Sequence, residues 1–372
     1  MAKLHDFDME RWQSTYENRV DYNLSESGVH PLTVGELVQL SATGSIDDTL
    51  IGYGQSNGTD HLRERIAALY KNADASNIVV ANGSAEANFV ALWHLIEPGD
   101  EAVVIQPTYM QSIGVIESLG GIVRPVWLRE EDGWQPNPDE IRAAVTGRTR
   151  VIVVTNPNNP TAAVMNAAAR AALLDAAARS AAWILADEVY TGAEIDGPET
   201  PSFWHPDGRV IATGSLSKAY GLPGLRIGWL VAPGEVAERL WARKDYTTIG
   251  PGDLTDRLAS IALDPEVRPQ LLARTGEYIK AGLDIIEPWL QDSGVFQYQR
   301  PGAGAIIWAR YDLPVNSSEL VERLRAEHSV LLVPGDHFGL DNFLRFGFGS
   351  QAHTLEAALA RVSDCLGAVA LR

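Results

Sequence analysis

The sequence holds a single cysteine, Cys365, so an internal disulfide is excluded. Its place near the C-terminus reads as a buried helix residue rather than a catalytic thiol. Long apolar runs are missing too: no stretch approaches the roughly 20 residues that a membrane-spanning helix requires. The first residues, MAKLHDFDMERWQSTYENRVDY, are too charged for a secretory signal. Basic residues are scarce, with 30 Lys and Arg against 48 Asp and Glu and a formal net charge of −18. That balance argues against general nucleic-acid binding, which uses basic surfaces. It would help to attract a cationic substrate, although acidic surfaces also simply aid solubility. There is no internal repeat and no low-complexity tract; AAARAALLDAAARSAA is rich in alanine, a strong helix former. A soluble, cytoplasmic protein is expected, with neither nucleic acid nor membrane as partner and no metal site.

What is present is a folded-core composition, 45% hydrophobic, arranged as short apolar runs that alternate with helical patterns. The runs are NIVVANG (77–83), EAVVIQP (101–107), GIVRPVWL (121–128), RVIVVTNP (150–157), AWILADEVY (182–190), RVIATGSLSK (209–218) and RIGWLVAP (226–233). Several lack polar alternation, as strands buried on both faces do. Between them lie helix-like stretches such as SAEANFVALWHLI (84–96) and NAAARAALLDAAARSA (166–181). The pattern predicts an α/β fold with a mainly parallel seven-stranded sheet flanked by helices, over residues 46–262. After a long helical segment near 266–291, the mixed pattern AGAIIWARY, SSELVERLRAEH, VLLVPG and FLRFGFG predicts a smaller α+β domain, formed by 263–372 with the strand-poor segment 1–45.

Ligands of open α/β sheets sit at the carboxyl ends of strands, and several chemically suggestive residues fall at such ends here. Gly83, Ser84 and Ala85 open a helix after the first run and offer backbone N–H groups and a hydroxyl to a phosphate. A plain serine N-cap with Glu86 nearby explains the same residues. Asn159 lies past the fourth run, Asp187 and Tyr190 at the end of the fifth, and Ser215, Ser217 and Lys218 at the end of the sixth. Arg226 opens the seventh. Lys218 has Ser, Leu, Ala, Tyr and Gly as neighbours, a setting built to hold one amine beside something anionic. Each residue has a structural explanation of its own, but their joint placement on successive strand ends is hard to ascribe to turn chemistry.

These residues resemble the pyridoxal-phosphate enzymes of fold type I, the class I/II aminotransferase superfamily, from about YGQSNGTDHLRERIA to FLRFGFG. The most specific part is SLSKAYGLPGLRIGW, and the order Asn159, Asp187, Tyr190, Lys218, Arg226, Arg345 matches the family. The resemblance implies pyridoxal phosphate as cofactor, carried by Lys218. Asp187 would pair with the pyridine nitrogen, Asn159 and Tyr190 would bond the ring oxygen, and Tyr109 would stack on the ring. Ser84, Ala85, Ser215, Ser217 and Arg226 would hold the phosphate, and Arg345, with Asn159 beside it, the substrate carboxylate. Tyr53 matches a tyrosine that reaches the neighbouring subunit's phosphate, implying a homodimer with shared active sites. One departure is Ala162, where the family usually has glycine; it bears on a turn rather than on the chemistry.

That machinery serves both transamination and elimination or replacement at Cβ. Two stretches point past an ordinary aminotransferase. SESGVHPLTVGEL (25–37) and the lysine segment resemble capreomycidine synthase-like hydroxyarginine cyclases, with DYTTIGP and VLLVPGDHFG resembling them more loosely. The resemblance implies dehydration of a hydroxylated arginine followed by ring closure of its guanidine. It would bring His30 near the substrate as an acid or base, although a loop histidine bonding backbone explains His30 as well. Carboxylates are needed around the guanidinium, and Glu10, Glu17 and Glu26 are the candidates. A conventional amino acid aminotransferase is the alternative. The effector-sensing use of this fold in transcription regulators needs a DNA-binding domain ahead of it, for which residues 1–45 leave no room.

Overall fold

Each of the seven apolar runs contains a strand of one sheet in the computed structural model, which describes residues 5–42 and 45–370. The strands before and within this sheet are β1 (Tyr22–Asn23), β2 (Ile78–Ala81), β3 (Glu101–Gln106), β4 (Ile122–Trp127), β5 (Thr149–Thr155), β6 (Trp183–Asp187), β7 (Val210–Ser215) and β8 (Gly228–Val231). The sheet order is β2-β8-β7-β6-β5-β3-β4. Strand β8 is antiparallel to β2 and β7, and the remaining pairs are parallel.

Every residue of β2, β3, β7 and β8 is buried, which is why these runs show no polar alternation. The two-residue repeat is visible in the partners instead. Val103 and Ile105 of β3 pack with Leu173 of the helix Ala167–Ser180, while Ala102 and Val104 pack with Leu92 of the helix Ser84–Leu95. The edge strand β4 is largely exposed and carries Pro125, whose missing N–H is harmless on an open edge.

The C-terminal part folds around strands β9 (Phe296–Tyr298), β10 (Ile306–Tyr311), β11 (Val330–Leu331), β12 (Val333–Pro334) and β13 (Phe343–Gly347). Four of them form an antiparallel sheet in the order β12-β13-β10-β9. The helices Arg268–Ser293, Ser317–His328 and Ala352–Ala370 supply Ile286, Leu324 and Leu359 to the same core as Phe346 of β13. Cys365 is fully buried in the last helix, as its position led us to expect.

The first 45 residues are not free of strand: β1 pairs in parallel with β11. Two residues are too short a strand to leave a period in the sequence. The helix Asp8–Tyr16 is fixed to the same region, Trp12 Nε1 donating to the Leu332 carbonyl at 2.8 Å. Among the described residues, no helix is long and apolar enough to cross a membrane.

Candidate active site

Because β8 alone runs against the other six strands, its amino end meets the carboxyl ends of β2, β3, β5, β6 and β7. Side chains that follow five strands and precede a sixth therefore converge. They line a cavity of about 410 Å³ that includes Ser84, Ala85, Tyr109, Asn159, Asp187, Tyr190, Ser217, Lys218, Arg226 and Arg345. Arg345 comes from β13 of the small sheet, and Glu10, Gln13 and Glu17 from the N-terminal helix and its C-cap.

One end of the cavity is shaped for a phosphate. The helix Ser84–Leu95 has no side-chain cap, so its first N–H groups remain available to an anion. Ser84 is thus no plain N-cap, and Glu86 accepts from the Asn82 N–H (2.6 Å) and from Thr247 and Thr248. Gly83 lies at φ +85°, and a Cβ there would overlap the Arg226 guanidinium. A Cβ on Gly228 would overlap the Gly83–Ser84 peptide. The two glycines let an arginine lie against a helix N-terminus.

The next part of the cavity is a buried carboxylate. Asp187 accepts from Asn88 Nδ2 (2.8 Å) and from the Val189 N–H (3.2 Å), while Asn88 Oδ1 takes the Thr213 hydroxyl (2.9 Å). Burial raises the Asp187 pKa against the pull of these donors and of Lys218. A protonated ring nitrogen would give this anion the partner that burial denies it.

Lys218 Nζ lies 2.8 Å from Glu26 Oε1. Burial alone would lower the lysine's pKa, but the charges of Glu26 and Tyr190 and the bond to Glu26 outweigh it, and the net shift is upward. The ammonium in turn pulls Glu26 down to about 2. Arg345 is 1% exposed and donates to Asn159 Oδ1 (2.8 Å) and the Ser25 carbonyl (2.6 Å). Its Nε has no partner, and no carboxylate forms an ion pair with it among the described residues. A buried cation held only by neutral acceptors is a receptor for a carboxylate.

The donor set therefore fits pyridoxal phosphate with an amino acid beside it: an anion cradle, a buried acid, a lysine between them and an arginine without a carboxylate. Three expectations are met differently. Ser215 does not line the cavity; its Oγ accepts the Ser217 N–H (3.2 Å), and the residue borders a separate cavity lined by Tyr70, Glu188 and Trp229. His30 is not among the lining residues either. Its backbone is bonded to Gly349 and Arg274, which sets the imidazole against the Tyr278 ring at 6.0 Å. Glu26 stands at Lys218 rather than apart from it. Tyr53 is 97% exposed and does not line the cavity of its own chain.

Glu10 accepts the Tyr109 hydroxyl at 2.7 Å, and both line the cavity. The Glu17 pKa is raised by burial and by the charges of Glu26 and Glu10. Sequence reading missed Asn88 and Gln13. A lone amide in the apolar helix SAEANFVALWHL, one turn after Ser84, was the signal for the first, and the spacing Glu10, Gln13, Glu17 for the second. Ala162 adopts φ +57°, the turn conformation that glycine takes more readily.

The model of the class I and II aminotransferase family matches residues 25–362. The chain is similar to the capreomycidine synthase of Streptomyces vinaceus, with 35% identity over 98% of this chain and 94% of that one. It is also similar to an arginine–pyruvate transaminase of Pseudomonas aeruginosa, with 28% identity over 86% of this chain and 84% of the relative. Among solved structures, the PLP-dependent cyclase OrfR superposes with a TM-score of 0.90 at 25% identity, covering 98% of both chains. The family model spans the lysine, the buried acid and the anion cradle alike, and the chain belongs to the class I and II aminotransferases as a pyridoxal-phosphate-dependent enzyme of fold type I.

Proposed function

We propose that the enzyme converts a hydroxylated arginine into a cyclic guanidino amino acid, by loss of water and closure of the guanidine. The observation that carries this reading is the company Arg345 keeps. One cavity holds an arginine with no acidic partner among the described residues together with three carboxylates besides Asp187: Glu10, Glu17 and Glu26. An amino acid with a cationic side chain matches both signs, its α-carboxylate at Arg345 and its guanidinium at Glu17 and Glu10. The similarity to a capreomycidine synthase and to a cyclase supports ring closure, and the name of the arginine–pyruvate transaminase supports an arginine-like substrate.

When bound, pyridoxal phosphate takes up the electron pair left at Cα after its proton departs. The chain's residues do the rest. Ser84, Ala85, Ser217 and Arg226 hold the phosphate, Asp187 keeps the ring nitrogen protonated, and Asn159 and Tyr190 bond the ring oxygen. Tyr109 covers the ring. Lys218 carries the cofactor and moves the proton at Cα. Holding the guanidine beside the carbon it attacks raises its effective concentration, up to about 10⁵ M or more in favourable cases.

The exposed apolar stretch around Leu50, Ile51 (99% exposed) and Tyr53 supports a homodimer in which Tyr53 of one protomer completes the phosphate pocket of the other. The test of function is a single-turnover assay of arginine and its 3- and 4-hydroxy derivatives, read by mass spectrometry. Cyclisation lowers the substrate mass by about 18 Da, one water, whereas transamination gives a 2-oxo acid and needs an amino acceptor. If hydroxyarginines give only oxo acids, the chain is an aminotransferase, the reading that its transaminase relative favours.

A further inference from the structure

We propose that Glu26 is the positioning residue that commits the reaction to ring closure: it holds Lys218 by an ion pair after the lysine has taken the Cα proton, so the proton leaves with the hydroxyl instead of passing to the cofactor. The inference rests on the cyclase reading given above.

The geometry that carries it is local and over-determined. Glu26 Oε1 lies 2.8 Å from Lys218 Nζ and accepts the N–H groups of Ser27 (2.9 Å) and Gly28 (3.0 Å). The carboxylate is therefore aimed by its own turn, whether or not the lysine is charged. Gly28 brings that turn against the lysine itself: a Cβ there would lie 3.3 Å from the Ser217 carbonyl and 3.6 Å from Lys218 Cδ. On the other side, a Cβ on Gly347 would overlap the Glu26 carbonyl, and the Gly347 N–H donates to Leu24 at 2.6 Å. The turn at Glu26 is wedged between β13 and the lysine loop. Arg345 grips it as well, through the Ser25 carbonyl.

The other charged and titratable groups on this cavity are Asp187, Tyr190, Glu17, Glu10, Tyr109, Arg226 and Arg345. Of the carboxylates, only Glu26 forms an ion pair with the ammonium. The upward shift of the lysine and the downward shift of Glu26 agree with a pair that favours the protonated amine.

The chemical consequence follows from what the two reactions ask of the lysine. Transamination requires it to give the Cα proton to a carbon of the cofactor. Dehydration requires it to keep that proton until the hydroxyl departs. In the balanced sequence the Cα–H bond breaks and an N–H bond forms on Lys218. The carbon–oxygen bond at Cβ then breaks, and the hydroxyl leaves as water with that proton. A guanidine nitrogen bonds to the same carbon, and the proton it loses goes to Cα. Substrate becomes product plus water with no net oxidation. A carboxylate 2.8 Å from the ammonium makes it a weaker acid toward either acceptor, and proton transfer to a cofactor carbon, intrinsically slower than transfer to a departing hydroxyl oxygen, is the step it delays more.

The test compares wild type, Glu26→Gln and Glu26→Asp as full chains with cofactor, given 3-hydroxyarginine and a 2-oxo acid acceptor. Wild type forming the cyclic product establishes the reaction; wild type forming only oxo acid overturns the cyclase reading and this inference with it. Where wild type cyclises, Glu26→Gln is expected to raise the ratio of oxo acid to cyclic product by about tenfold or more. Glu26→Asp, which keeps the charge, should stay closer to wild type. A ratio that does not change, or two products that fall together, overturns the proposal. Should Glu26→Gln fail to fold, a smaller rise in Glu26→Asp is required in its place. A second readout uses the cofactor-free chain: the pH dependence of Lys218 acylation, followed by mass spectrometry, must move to lower pH in Glu26→Gln. An unmoved midpoint also sinks the idea.

Discussion

Asn88 shows how one side chain can hold a buried carboxylate in place from outside the cavity that the carboxylate lines. Its amide nitrogen serves Asp187 and its oxygen serves Thr213, in a site where Asn88 is 2% exposed. Asn88→Ala leaves two buried groups without partners and is expected to cost about 1–3 kcal/mol, read from urea unfolding. It should also raise the Asp187 pKa further, visible as a weaker hold on the protonated ring nitrogen in the cofactor's pH titration. Its neighbour Glu188 offers a cleaner test of charge burial. Burial pushes this carboxyl from its ordinary 4.5 up to about 7, against bonds from Phe203 and Ser202. Between those two values the folded protein binds more protons at Glu188 than the unfolded chain does. Stability is therefore lost as pH rises through this window and levels off above about pH 7. Glu188→Gln can keep the Phe203 bond without the charge. It is expected to be more stable than wild type at pH 8 by about 3 kcal/mol, a gap that narrows as pH falls and closes below the ordinary value of 4.5. Equal unfolding midpoints at both pH values would show that Glu188 is not charged at a cost.

The helix Asp8–Tyr16, with Glu17 as its C-cap, presents Glu10, Gln13 and Glu17 to the cavity at spacings of three and four residues, one face of an α-helix. That spacing was legible in DMERWQSTYE, and the acids were marked as guanidinium candidates. Where the helix docks was not legible, because Trp12 and Gln13 find their acceptors at Leu332 and Ser25, contacts that no local pattern encodes. The same distinction explains Glu26. Its residue type suggested a cation partner, but only the closed fold brings it to Lys218 rather than leaving it to the substrate. The strands behave oppositely: seven apolar runs are enough to place seven strands, since helices on both faces bury every side chain of β3 and β7 and nearly all of β5 and β6. If Glu17 reads the substrate's cationic end, Glu17→Gln should raise KM for the hydroxyarginine about tenfold and leave kcat nearly unchanged. Loss of kcat at constant KM would move Glu17 from recognition to the chemistry.

At the scale of the molecule, the exposed Tyr53 and the cavity that lacks it make opposite halves of one prediction. Lys218→Ala and Tyr53→Phe are each expected to be impaired, the first completely. Mixed and allowed to exchange subunits, they should regain activity, because each hybrid dimer contains one site with both residues intact. Random exchange makes about a quarter of all sites complete. No recovery on mixing, or a fully active monomer in sedimentation, would count against shared sites. The reversed strand β8 carries a consequence of another kind. It is the last of the seven to be synthesised, yet it lies second in the sheet, between β7, made just before it, and β2, made first of all. Until it inserts, β2 has no neighbour in the sheet, and the helix start after β2 has no arginine facing it. A growing chain therefore has no place for the cofactor's phosphate until well past its midpoint. Once β8 is in, a phosphate held between Ser84 and Arg226 would bridge the earliest and the latest strands of the sheet and stabilise the closed fold by mass action. With the phosphate held there, cofactor supply during synthesis would be a folding variable for this protein as well as a catalytic one.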